Sequence, residues 1–147
     1  MPEPAVEAAT EVEEMLFDDG KADAGIKAFR IGFASGYEII ALSSKPRSLR
    51  GKQGYVILDE AAFHDDLRGM MKAALALLIW GGKLLVISTH DGDDNFFNEL
   101  VNDVRAGRKP YALLRCDFDE ALRQGLYQRV CLATGETWSI EKEAEWR

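Results

Sequence analysis

Histidine and cysteine are scarce in this chain, with two of each in 147 residues. Any histidine-based triad or zinc centre must therefore use His64 or His90, and neither has a cysteine or a second histidine at ligand spacing. Cys116 and Cys131 lack the paired spacing of a zinc site and are expected to be reduced core thiols. Long apolar runs are missing too. The longest, Ala73 to Trp80, is half a helix, well short of the roughly eighteen residues that suggest a membrane span. The acidic first residues are expected to be neither a secretory signal nor a transit peptide. There are no internal repeats and no low-complexity segments. The most consequential absence is chemical: the phosphate-cradling pattern G-x-x-x-x-G-K-[ST] occurs nowhere in the chain.

What is present fits one folded domain. Hydrophobic residues make up 47% and charged residues 29%, enough apolar material at this length to bury a sizeable core. The net charge of −7 is unevenly placed. Residues 1–24 carry eight acidic side chains against Lys21 alone, and the rest of the chain carries 17 of each sign. Overall acidity therefore says little about the partners of the remainder. Within it, Lys45, Arg47, Arg50 and Lys52 form a basic loop with no acid among them. A solvated loop is the ordinary reading of such a cluster. The sharper one is contact with the phosphates of a nucleotide or of DNA.

Residues 1–24 are expected to be an acidic helix or tail, because Ala5, Ala8, Ala9, Val12, Met15 and Leu16 fall near helical spacing. Ile26 to Ala34 and Tyr37 to Ser43 are β-rich runs around Ser35-Gly36, a hairpin signal with a two-residue turn. Ser44 to Gly54 is a loop. Tyr55 to Asp59 and Lys83 to Ser88 are too apolar for one-faced strands and are expected inside a sheet covered on both sides. Between them Asp65 to Trp80 has the stripe of an amphipathic helix, stopped by Gly81-Gly82. A second helix is expected over Asn95 to Ala106, a third core strand over Tyr111 to Cys116, and two or three short helices around Gly125 and Gly135. Strand, helix, strand, helix, strand is the pattern of a parallel α/β sheet with right-handed crossovers, preceded here by a β-hairpin.

Ligands of such sheets sit at the carboxyl ends of the strands. One strand ends in Asp59-Glu60, the next in Ser88-Thr89. An acid ending a strand often does no more than cap the following helix. Two strands ending in polar, chemically capable residues one crossover apart favour phosphate chemistry. Asp59 is suited to hold a hydrated Mg²⁺, and Glu60 to orient and deprotonate an attacking water. Ser88 or Thr89 would sense the terminal phosphate. Arg50, between Leu49 and Gly51 just before the Asp-Glu strand, is placed to reach a phosphate on its own subunit or a neighbour's, with a loop salt bridge as the equal alternative. Asp91, Asp93 and Asp94 lack the following glycine and distal glutamate of a calcium loop and read as caps for the next helix.

The runs Phe33 to Ile39, Ala41 to His64 (containing Leu49-Arg50-Gly51 and Asp59-Glu60-Ala61) and Leu85 to Gly92 (containing Ser88-Thr89) together resemble the ATPase region of large terminase subunits, of the gp28 type in Mu-like phages and prophages. The likeness extends over nearly the whole chain, from about Val12 to Arg147. It implies a partial P-loop NTPase-like α/β domain: an acidic segment over 1–24, an ATPase core over 25–117, and a helical segment over 118–147 leading towards a nuclease domain that is not in this sequence. It implies an ATP-driven motor that packages double-stranded DNA into procapsids in the bacterial cytoplasm. Mg²⁺ and ATP would be its cofactors, and a portal protein and a small terminase subunit its partners. Asp59 and Glu60 then match the Walker B pair, Ser88 and Thr89 the coupling element, and Arg50 the Leu-Arg-Gly arginine. Lys45, Arg47 and Lys52 are weaker candidates for phosphate or DNA contact. His90 stands where the family usually has proline. Lacking the phosphate loop, the chain is expected to be inactive alone, to need the missing parts of the same subunit, and to self-associate through exposed sheet edges. The rival readings are a non-enzymatic α/β interaction module or prophage relic, and an independent Rossmann-like binding protein.

Overall fold

In a computed structural model, residues 9–17 and 26–147 are described, with side chains from Ala28 onward. The chain divides into two units, residues 1–102 and 103–147, with the boundary inside a helix.

The first unit begins with three antiparallel strands in sequential order: β1 (Ala9–Phe17), β2 (Ile26–Phe33) and β3 (Glu38–Leu42). β1 lies where a helix was expected. Its sequence carries two periodicities, and the alternation from Glu11 onward prevails because β2 offers a regular ladder there, with Val12 opposite Ile31 and Glu14 opposite Phe29, after a register shift between Ala9 and Glu11. The rest of the 1–24 segment lies outside the described residues. The expected hairpin joins β2 to β3, with three loop residues rather than two. Gly36 N–H donates to the Phe33 carbonyl (2.9 Å) and Phe33 N–H to the Tyr37 carbonyl (3.0 Å). Gly36 has φ +84°, so a type I turn is followed by a left-handed residue, the bulged form of a three-residue hairpin.

The second sheet is the expected parallel pair, β4 (Val56–Leu58) and β5 (Leu84–Val86), with Ile57 opposite Leu85. The described architecture is therefore α/β, but its antiparallel ladder is larger than its parallel one. The crossover helix α1 (Leu67–Leu77) starts at Asp66, whose Oδ1 accepts the Gly69 N–H (2.8 Å), and ends through a 3₁₀ turn (Leu78–Trp80) at Gly81 with φ +89°. Leu67, Met70, Met71 and Ala74 are buried at the expected helical spacing, whereas Leu75 of the expected stripe is exposed. They pack with Leu49, Leu58, Ala61 and Leu100 in one core. Leu49 comes from a 3₁₀ turn (Pro46–Leu49), where the buried Ser48 hydroxyl faces the carbonyls of Ser43 and Lys45 at 2.8 and 2.6 Å. The basic loop is thus anchored to the core.

Among the described residues, only one face of the parallel pair is covered. Val56, Leu58, Leu84 and Val86 belong to the core, while Tyr55, Ile57, Leu85 and Ile87 are exposed. This corrects the expectation of a sheet covered on both sides. Helix α2 (Phe96–Arg105) follows, with Asn95 Oδ1 accepting the Asn98 N–H (2.9 Å). Asn95 rather than an aspartate makes this cap. Arg68 on α1 lies over the Phe96 ring (4.1 Å) and pairs with Glu99 (2.7 Å), joining the starts of the two helices.

The third core strand expected over Tyr111 to Cys116 does not form. These residues have no regular structure, Leu114 is 94% exposed, and Cys116 is an exposed thiol rather than a core one. The run contains no β-branched residue, and no described strand offers it a ladder. The second unit consists of the expected short helices: α3 (Phe118–Arg123), α4 (Leu126–Thr134) and α5 (Ile140–Trp146). Leu122, Tyr127 and the buried Cys131 form its small core. Trp146 packs against the rings of Phe118 and Tyr127, with centroids 5.6 and 5.0 Å away.

Candidate functional site

The sequence candidates fall into two groups. Asp59 and Glu60 follow β4 directly, and Ser88 and Thr89 lie just beyond β5. Parallel pairing in register brings these strand ends together. The ladder continues past both strands, since Ile87 N–H donates to the Leu58 carbonyl (2.9 Å) and Ala61 N–H to the Ile87 carbonyl (2.9 Å). The Ser88 hydroxyl then accepts the Ala62 N–H (3.0 Å). The turn that carries the acids is fastened directly to the Ser-Thr segment.

That turn has an unusual backbone. Glu60 adopts φ 49° and ψ 44°, the only positive φ of a non-glycine residue among those described. It precedes a 3₁₀ turn (Ala61–Phe63) whose first two residues are buried. Left-handed backbone at a side chain bearing Cβ is costly, and tends to persist where the surroundings over-determine it and function uses it. Asp59 Oδ1 accepts the Glu60 N–H (3.0 Å), and among the described residues Oδ2 has no hydrogen-bond partner. Asp59, Glu60 and Thr89 are exposed and Ser88 is half-buried. His64 lies beside them, its Nε2 2.8 Å from the Asp59 carbonyl. A carbonyl oxygen only accepts, so this contact is a hydrogen bond when Nε2 carries a proton.

A cleft of ≈ 350 Å³ opens next to this turn, between the starts of α1 and α2, and is lined by His64, Asp65, Asp66, Arg68, Asp94 and Phe96 among others. The donor chemistry at the strand ends suits a hard divalent cation. Mg²⁺ takes one or two carboxylates and completes its shell with water and phosphate oxygens, and Asp59 offers one uncommitted carboxylate oxygen. No group of three or more metal-capable side chains occurs among the described residues.

The basic residues form the second group. Lys45 and Arg47 lie at the Pro46–Leu49 turn, Arg50 caps its end, and Lys52 N–H closes the loop on the Leu49 carbonyl (3.2 Å). Arg50 is exposed, and among the described residues no hydrogen bond or ion pair joins it to Asp59 or Glu60. The structure thus unites Asp59, Glu60 and Ser88, and among the described residues no bond ties Arg50 to them. The role of His64 escaped sequence reasoning because its partner is a backbone carbonyl, which no side-chain motif announces.

No family model matches the chain. No solved structure matches it either. Two curated proteins do. The Mu-like prophage FluMu protein gp28 of Haemophilus influenzae is 51% identical over 140 residues, which is 95% of this chain and 27% of that protein. The probable terminase, large subunit gp28 of Escherichia phage Mu is 47% identical over 141 residues, 95% of this chain and 26% of that protein. The chain spans about a quarter of the length of these relatives. The resemblance drawn from its motifs therefore holds: nearly the whole chain is homologous to one segment of the gp28 proteins, one of which is named as a probable large terminase subunit.

Proposed function

We propose that this chain carries the hydrolysis and coupling elements of a DNA-packaging terminase motor, built on a partial P-loop NTPase-like core. The observation that carries the reading is the docked turn, where Asp59-Glu60 and Ser88 are joined through Ala61 and Ala62 at the ends of two parallel strands. In this reading Asp59 presents its free oxygen to a magnesium ion through water, and Glu60 orients and deprotonates the water that attacks the terminal phosphate of ATP. The metal, when bound, neutralises charge on the phosphate oxygens. Ser88 and Thr89 lie where loss of that phosphate would be felt, and the Ala62–Ser88 bond passes the change between the two segments. Arg50 serves a phosphate on its own or a neighbouring subunit. Lys45, Arg47 and Lys52 contact the backbone of nucleotide or double-stranded DNA.

The place of action would be the cytoplasm of a bacterial host, with a portal protein and a small terminase subunit as partners. No described helix is long and apolar enough to cross a membrane. A Walker A loop from outside these 147 residues would have to supply most of the phosphate binding, because none occurs among them. The chain alone is therefore expected to hydrolyse Mg²⁺-ATP negligibly. Addition of the polypeptide that precedes the matched segment in a gp28 relative should restore turnover, and Glu60→Gln should abolish it. Turnover by the chain alone that survives Glu60→Gln would refute this assignment.

A second reading, an assembly module without hydrolysis, is favoured by one feature, the exposed apolar face of Tyr55, Ile57, Leu85 and Ile87. It predicts self-association that Ile57→Lys abolishes, with no turnover in any mixture.

A further inference from the structure

Two ends of a single peptide plane are held at the Asp59–Glu60 bond. At one end Glu60 N–H donates to Asp59 Oδ1 (3.0 Å). At the other the Asp59 carbonyl accepts from His64 Nε2 (2.8 Å). Rotation of this plane changes ψ of Asp59 and φ of Glu60 together, so its orientation sets where the Glu60 side chain leaves the backbone. The far side of the turn is held separately, by the Ala61 N–H to the Ile87 carbonyl and the Ala62 N–H to Ser88 Oγ. Among the described residues, only His64 donates to the carbonyl end of the plane. His64 is half-buried, and its Nδ1 is buried with no hydrogen-bond partner, so the ring's protein hydrogen bonding is spent on this one carbonyl.

We propose that His64 is a positioning residue for the Asp59–Glu60 pair. Its Nε2–H pins the peptide plane between them, holds Glu60 in the left-handed conformation, and thereby fixes the direction of the Glu60 carboxylate. A left-handed non-glycine residue relaxes towards the ordinary helical or extended basins unless its neighbours prevent it. His64 prevents it from five residues along the chain, by closing the 3₁₀ turn back onto its own start. The assignment of Glu60 as general base rests on the function proposed above. The assignment of His64 to the peptide plane does not.

The test is NMR on the intact chain. In the unmodified protein the ring ¹⁵N shifts of His64 should report the Nε2–H tautomer, and the Cα and Cβ shifts of Glu60 a left-handed residue. His64→Leu keeps apolar bulk and removes the donor, and should move the Glu60 shifts out of the left-handed range. His64→Gln offers an amide N–H near the same place and should restore them. In the ATPase mixture described above, His64→Leu should lower kcat by roughly tenfold to a hundredfold with KM for ATP nearly unchanged, as expected for a misplaced catalytic group. His64→Gln should recover much of this loss. An Nδ1–H tautomer in the unmodified protein would overturn the proposal even if His64→Leu failed to fold. Unmoved Glu60 shifts in a folded His64→Leu variant would overturn it as well. Left-handed Glu60 shifts that depend on His64, with no ATP turnover in any mixture, would uphold the positioning role and remove only the hydrolytic reading.

Discussion

Replacing Glu60 by glycine is expected to stabilise the first unit while removing the proposed base. At φ 49° and ψ 44° an L-residue carries a penalty of about 1–2 kcal/mol relative to right-handed backbone, and glycine does not. Glycine returns part of that gain by losing about 0.5–1 kcal/mol more conformational entropy on folding. The Glu60 side chain is exposed, and its carboxylate makes no hydrogen bond or ion pair among the described residues, so little else is lost. The net expectation is a gain of about 0.5–1 kcal/mol. Because the chain has two units, amide hydrogen exchange at Met70, Met71 and Ala74 on α1 is the suitable assay, reporting the first unit rather than the average. Exchange there should slow by roughly two- to fivefold, since about 1.4 kcal/mol corresponds to tenfold. Glu60→Ala is the control: it removes the carboxylate but keeps Cβ, and should leave exchange nearly unchanged. Equal effects of glycine and alanine would show that the turn is unstrained at Glu60, and the argument from backbone geometry would fail.

Other outcomes follow from separate parts of the structure. A Cβ at Gly82 would fall inside van der Waals contact with the Gly54 carbonyl oxygen, a backbone atom, so Gly82→Ala should destabilise the first unit by about 1–3 kcal/mol in denaturant unfolding. In the second unit the Asp117 carboxyl is held below its ordinary range, first by the Glu120 backbone N–H, and the Glu120 carboxyl below its own, first by the Arg123 side chain. Depressed carboxyls stabilise above their unfolded values and lose that contribution as pH falls through the folded ones. The start of α3 should therefore loosen only in acid below the usual carboxylate range, as read by carboxyl ¹³C titration of both residues. If Lys45, Arg47, Arg50 and Lys52 all meet DNA phosphates, the logarithm of the affinity should fall with that of salt at a slope near −3.6, about −0.9 for each phosphate neutralised. A salt-independent affinity would exclude this loop as the DNA contact.

Much of the first unit was legible as local pattern. The stripe of Leu67, Met70, Met71 and Ala74, the stop at Gly81 and the apolar runs at Tyr55 and Lys83 depend on neighbours a few residues away and formed the expected helix and strands, while the turn at Gly36 formed with three loop residues instead of two. Where local pattern was divided, pairing decided. Ala9–Phe17 reads as helix by one periodicity and strand by another, and β2 settled it by offering a ladder. Tyr111 to Cys116 reads as a strand, yet no described strand offers it a ladder. The apolar runs of β4 and β5 implied two covered faces, and the described residues cover one.

The candidate site divides along the same line. Its chemistry was written in the chain: carboxylates after one apolar run, hydroxyls after the next, with a homologous segment in gp28 proteins. Side-chain type and short spacing are properties of sequence alone, and on them rests the candidacy of Asp59, Glu60, Ser88 and Thr89. Tertiary structure decided how these residues are held. The left-handed backbone of Glu60, the Ala62 bond to Ser88 and the His64 bond to the Asp59 carbonyl all involve main-chain groups. Every residue but proline carries those same groups, so no letter in the sequence marks them. Only the path of the folded chain selects which carbonyl meets which donor.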